Sequence, residues 1–71
     1  MQDEYVYYCP MRPPTLGNVP MEGLLYVEIF PERKYVDEIE SMACGWAVYR
    51  RELTPRELYH FELIIKPRGN G

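Results

Sequence analysis

Apolar residues fall along this chain in short bursts, punctuated by proline and glycine. The first burst, Glu4 to Cys9, carries Tyr5, Val6, Tyr7 and Tyr8. These β-branched and aromatic side chains suit a pleated surface and predict a strand. Pro10 ends it, and from Pro10 to Gly23 four prolines and two glycines leave no helical or strand period. That segment reads as a long loop, stiff at Pro13-Pro14 and turning at Gly17-Asn18. Leu24 to Phe30 alternates cleanly, with Leu25, Val27 and Ile29 on one face and Leu24, Tyr26, Glu28 and Phe30 on the other, and predicts a second strand. Glu28 marks the second face as the one toward solvent or an edge, and Pro31 is expected to stop the ladder.

Arg33 to Ala43 supports two readings. Val36, Ile39, Met42 and Ala43 follow helical spacing, with Asp37, Glu38, Glu40 and Ser41 opposite, which favours a helix of one to three turns. In the competing reading Lys34 to Ile39 is extended and paired, because Tyr35-Val36 has strand character and short helices are marginal alone. Gly45 breaks the pattern, and Trp46 to Leu53 reads as a strand closed by Arg50 and Arg51. Thr54-Pro55-Arg56-Glu57 is a helix start. Threonine caps, proline sits where its missing N–H costs nothing, and glutamate completes a capping box. Leu58 and Phe61 give the short helix one apolar stripe. Glu62 to Lys66 reads as a last strand, and its continuous Leu63-Ile64-Ile65 run suits a central or well-covered place.

The order is strand, loop, strand, helix or extended segment, strand, helix, strand. This predicts an α+β fold: a small mixed sheet of about four strands with one or two short helices on one face. Residues 1–67 form the single domain, and 68–71 form a disordered tail.

With 71 residues there is room for one domain only, and its core is small. A composition 46% hydrophobic and 14% aromatic is nevertheless far from a disordered one. A formal charge of −3 disfavours a general nucleic-acid binder without excluding a local basic patch. The last apolar run is too short to span a bilayer. Asp3 and Glu4 stand where a signal peptide would be basic, so the expected location is the cytoplasm, with no membrane partner. Cys9 and Cys44 are too few for a disulfide framework and are expected as free thiols.

No residue set announces chemistry, and no catalytic, cofactor or metal residue is assigned. His60 is the only histidine and reads as a surface residue at a helix end. With the two cysteines it makes at most three zinc ligands, at no familiar spacing. The carboxylates are scattered, Glu57 is already used by the cap, and phosphate-binding or nucleophile motifs are absent. Two features point to binding instead. Tyr5, Tyr7, Tyr8, Tyr26, Tyr35, Tyr49 and Tyr59 cannot all be core in so small a fold, and exposed Tyr, Trp and Arg are enriched at interfaces. Arg33, Lys34, Arg50 and Arg51 bracket the strands and form a candidate basic patch. The residues assigned to partner contact are Tyr8, Arg12, Pro13, Pro14 and Trp46.

Several stretches together resemble a known family. Tyr5-Val6-Tyr7-Tyr8 leads into Arg12-Pro13-Pro14 and a turn from Gly17 to Pro20. Then come Tyr35-Val36 with Glu38-Ile39, Ala43 with Gly45-Trp46-Ala47 and Tyr49, and Leu53-Thr54 with Glu57-Leu58. The set resembles the defence against restriction A C-terminal domain. That resemblance implies a small protein carried by a phage, plasmid or integrative element of Firmicutes, associated with protecting incoming DNA from restriction. It brings no catalytic residues. The expected function is a non-enzymatic binding module acting by protein–protein contact through the Pro10–Gly23 loop and neighbouring tyrosines. The alternative is a nucleic-acid-binding accessory protein that uses the basic patch. An exposed strand edge leaves monomer and homodimer open.

Overall fold

A computed structural model of the chain describes residues 4–67. They form strand β1 (Tyr5–Tyr8), strand β2 (Leu24–Val36), a 3-10 turn (Asp37–Ile39), strand β3 (Ser41–Tyr49), helix α1 (Pro55–Phe61) and strand β4 (Ile64–Ile65). The strands make one sheet in the order β2-β3-β1-β4, and every pairing is antiparallel. The small α+β class holds. The mixed strand direction does not, because each strand meets only neighbours that run the other way. The tail expected at 68–71 lies outside the described residues.

The register assigns the two faces. Tyr5 pairs with Tyr49 and Tyr7 with Ala47, while Val6 pairs with Val48 and Tyr8 with Trp46. Side chains of paired residues share a face, and neighbours along a strand alternate. Tyr7, Cys9, Ala47 and Tyr49 join Val19, Leu53 and Leu63 in the core, with Leu58 and Phe61 of α1 packed against it. The Tyr7 and Tyr49 rings meet edge to face at 5.8 Å. Each buried hydroxyl has a partner: Tyr49 donates to the Pro20 carbonyl at 2.7 Å, and Tyr7 accepts from the Leu53 N–H at 2.9 Å. Tyrosine thus supplies apolar area and ties flanking loops to the sheet with its tip. Burial raises the proton affinity of both phenols.

The segment 33–43 is extended rather than helical. β2 continues through Val36, and Lys34, Tyr35 and Val36 pair with Ala43, Met42 and Ser41 of β3. Only Asp37–Ile39 is helical, as the 3-10 turn of this hairpin, and Glu40 closes it in the left-handed region at φ 51°. Tertiary pairing overrides a weak local period here. Pro31 interrupts the ladder without ending it. Pairing breaks after Ile29 and resumes at Lys34, so that Phe30–Arg33 bulge opposite a single β3 residue. A second irregularity between Leu24 and Tyr26 leaves Leu25 as an extra residue.

Gly45 does not break β3 but lies inside it. A Cβ there would sit 2.2 Å from the Glu28 carbonyl oxygen and 2.8 Å from Pro14 Cδ, so the loop crosses the sheet where a side chain is missing. Cys9 spans this point, donating to the Gly45 carbonyl and accepting from the Cys44 N–H. β4 is an outer strand of two residues, not a central one, and Ile65 is exposed. Of the apolar run expected to be covered, Leu63 alone is fully buried, below the end of α1.

The capping box forms as its residues dictate. The Glu57 N–H donates to Thr54 Oγ1 at 3.2 Å, and the Thr54 N–H donates to Glu57 Oε1 at 2.9 Å. Arg51 adds two bonds to the same carboxylate, at 3.0 and 2.8 Å. The guanidinium, then the Thr54 N–H, hold the Glu57 carboxyl down at about 2.

Candidate binding surface

The Pro10–Gly23 loop is fixed from within. Asn18 caps a turn, its backbone N–H donating to the Thr15 carbonyl and its side chain donating to Thr15 Oγ1 and the Pro13 carbonyl. Gly17 takes φ 95° in this turn, a conformation glycine adopts without strain. Leu16 and Val19 form an isolated bridge across it. Pro14 packs on Gly45, Val19 enters the core, and Pro20 is held by Tyr49. Outward, Leu16 is 78% exposed and Met11 and Met21 are exposed as well, beside the exposed polar residues Arg12, Thr15 and Glu22.

Leu16 stands beside the outer strand. Between the loop and β2 lies a groove of about 280 Å³, floored by Pro14, Val19, Leu24 and Val27 and flanked by Leu16 and Ile29, with Tyr26 also bordering it. Ile29 is 50% exposed, and Leu25 and Tyr26 are exposed next to it. Loop and strand thus present one apolar surface. The alternation read from Leu24 to Phe30 puts Leu25 on the covered face with Val27 and Ile29, but the extra residue at Leu25 shifts the phase. Leu24, Val27 and Ile29 pair with Tyr49, Ala47 and Gly45 on the core face, Leu25 is exposed, and no local pattern marks Leu16. Nothing local distinguishes exposed Leu16 from buried Val19, three residues on. Their fates depend on which way the turn at Gly17 faces the sheet.

The residues assigned to partner contact divide. Arg12 and Pro13 are exposed, and Arg12 donates to Glu62 at 2.9 Å on the surface. Pro14 and Tyr8 are buried and present no side-chain surface. Tyr8 instead donates to Glu38 Oε2 at 2.6 Å and packs edge to face on half-buried Trp46 at 5.7 Å. Burial first, and then this bond to a carboxylate, push its phenol up to about 12. Trp46 also meets Phe30, over whose ring the Lys34 ammonium lies at 4.5 Å.

The four basic residues are not gathered into one patch. Lys34 pairs with Ala43, while the Arg50 N–H bonds Gly23 at the other end of β3. At strand spacing these ends lie about 20 Å apart. Arg51 is committed to Glu57 and the Glu22 carbonyl, and Arg33 reaches the Pro10 carbonyl at 3.4 Å.

Cys9 and Cys44 are free thiols, and burial pushes the Cys9 thiol up to about 12. His60 is exposed and its ring lies against Phe61. A wide recess of about 590 Å³ opens beside it, between Pro10-Met11 and the end of α1. Among the described residues no three His, Cys, Asp or Glu side chains are grouped to hold a metal ion, and no helix is long and apolar enough to cross a membrane.

No curated protein and no solved structure matches the chain. A family model described as defence against restriction A C-terminal matches residues 2–68, nearly the whole length. The tyrosine-rich first strand, the proline loop, the Gly45-Trp46 strand and the capping box all fall within that match, and the chain belongs to the defence against restriction A C-terminal family.

Proposed function

We propose that this chain is a non-enzymatic binding module of an anti-restriction function, carried by a phage or mobile element and working by protein–protein contact in the cytoplasm. The family membership supports the anti-restriction setting. One observation carries the mode of action: the proline loop is held rigidly on the sheet while Leu16 and Ile29 are left exposed across an apolar groove. A rigid apolar surface binds with little ordering cost. Contiguous exposed apolar patches on small domains mark interaction sites. The separation of Arg33 and Lys34 from Arg50 and Arg51 weighs against the nucleic-acid reading, since phosphate binding gains from clustered charge.

Photo-crosslinking tests this directly in restricting cells that receive unmodified DNA. A crosslinker at Leu16 is expected to trap a protein, whereas one at exposed Arg56 on α1 is expected to trap none. Adducts to nucleic acid from Leu16, or protein adducts equally from both positions, would contradict the reading.

A further inference from the structure

The geometry points to the occupant of this surface: an extended peptide segment that adds to the outer edge of β2 between Tyr26 and Ile29, alternating apolar and basic residues. The inference rests on the proposed protein-binding reading and specifies its partner chemistry. β2 pairs with β3 on one side, and among the described residues no strand covers its other side. An antiparallel outer strand leaves alternate N–H and C=O groups free to template another strand. Natural edges are blunted by short length, proline, bulges and charge. β4 is two residues long, and the far half of β2 carries Pro31, the Phe30–Arg33 bulge and three successive charged residues. The stretch from Leu24 to Ile29 carries only the extra Leu25 and one charge, Glu28; its Leu24 N–H is given to the Met21 carbonyl at 3.2 Å, which leaves Tyr26 to Ile29 as the open edge.

The two faces then fix the peptide's pattern. Val27 and Ile29 pair with Ala47 and Gly45, on the face where the groove opens toward Leu16. Glu28 pairs with Trp46 on the opposite face and is exposed. A strand laid along this edge sends every second side chain toward the groove, whose walls are apolar, and the intervening ones toward the Glu28 carboxylate. Apolar side chains meet the first need, and lysine or arginine the second.

The probe is a capped heptapeptide alternating lysine and valine, titrated against the full chain by fluorescence anisotropy. Two further versions carry N-methyl groups on its odd or its even residues. Binding is expected, with one methylated version inactive and the other retained, because only one edge of the peptide faces β2. Ile29→Asp is expected to weaken binding by roughly tenfold or more, as loss of a buried aliphatic contact does. Glu28→Lys, on the surface and safe for folding, is expected to weaken it by about two- to fivefold. Equal binding by both methylated peptides, or a Glu28→Lys chain that binds as the parent does, overturns the inference. So does concentration-dependent self-association that Ile29→Asp abolishes, which would make a second copy the occupant. If the peptide fails while Leu16 still crosslinks a protein in cells, the strand-addition inference falls and the protein-binding reading stands.

Discussion

Strands β1 and β2 are both rich in tyrosine, yet their tyrosines have opposite fates. In β1, Tyr7 is 0% exposed and Tyr8 4%, whereas in β2, Tyr26 is 52% exposed and Tyr35 58%. The residue type is the same and so is the strand conformation. What differs is place in the sheet: β1 has strands on both sides and β2 on one. A central strand surrounds each ring with neighbours and requires a bond for its hydroxyl. An outer strand leaves rings in water with no such demand. The inner tyrosines therefore hold the fold, and the outer ones are free to serve contact.

The largest blow to this division should come from β1. Tyr7→Ala removes a fully buried ring and leaves the Leu53 N–H without its acceptor, and about 3–5 kcal/mol of stability should be lost in denaturant unfolding. Tyr7→Phe isolates the hydroxyl and should cost about 1–3 kcal/mol, since it orphans a buried donor. Gly45→Ala should be comparable, about 1–3 kcal/mol, because the added methyl meets backbone at Glu28 and the ring of Pro14. Thr54→Ala removes one half of the capping box and should cost about 1 kcal/mol.

The same capping box carries a pH dependence. Glu57 is held at about 2 in the folded chain, below its ordinary carboxylate value. A depressed folded value means that its contribution is whole above the unfolded value, roughly 4.3, and is lost as pH falls toward 2. Glu57→Gln should therefore flatten the stability–pH profile between about pH 5 and 2 and leave the slope above pH 5 unchanged. At the small end, Tyr26→Ala and Tyr35→Ala should each move stability by no more than about 0.5 kcal/mol. A loss at Tyr26 as large as that at Tyr7 would erase the contrast between the strands.

Local chemistry made some of this legible in advance. Thr54-Pro55-Arg56-Glu57 specified α1 from four residues, because every partner in a capping box lies within one turn. β1 was legible from its side chains, and the proline loop from its lack of period. The misread positions all depend on distant residues. Gly45 looks like a break, and its reason for lying inside β3 is Pro14, thirty-one positions earlier. Val36, Ile39, Met42 and Ala43 keep a helical spacing that pairing of Lys34–Val36 with β3 overrides. Pro14 reads as a contact residue from its place in the proline-rich loop, and Tyr8 because seven tyrosines exceed what so small a core can hold. Only the fold shows the first seated on a glycine and the second between β3 and β4. The groove had no sequence signal, since it arises between a loop and an outer strand whose juxtaposition is tertiary.

Amide hydrogen exchange across β2, with and without the lysine–valine peptide, tests the account most directly. In the free chain, those amides from Tyr26 to Ile29 that point away from β3 should exchange fast, while the Leu24 amide, given to the Met21 carbonyl, and those of β1 remain slow. With the peptide bound, those same outward amides should become protected and β1 should not change. Outward β2 amides that stay equally fast in the saturated complex, or protection confined to α1 and the recess beside His60, would contradict the claim that the outer strand is the contact surface of this fold.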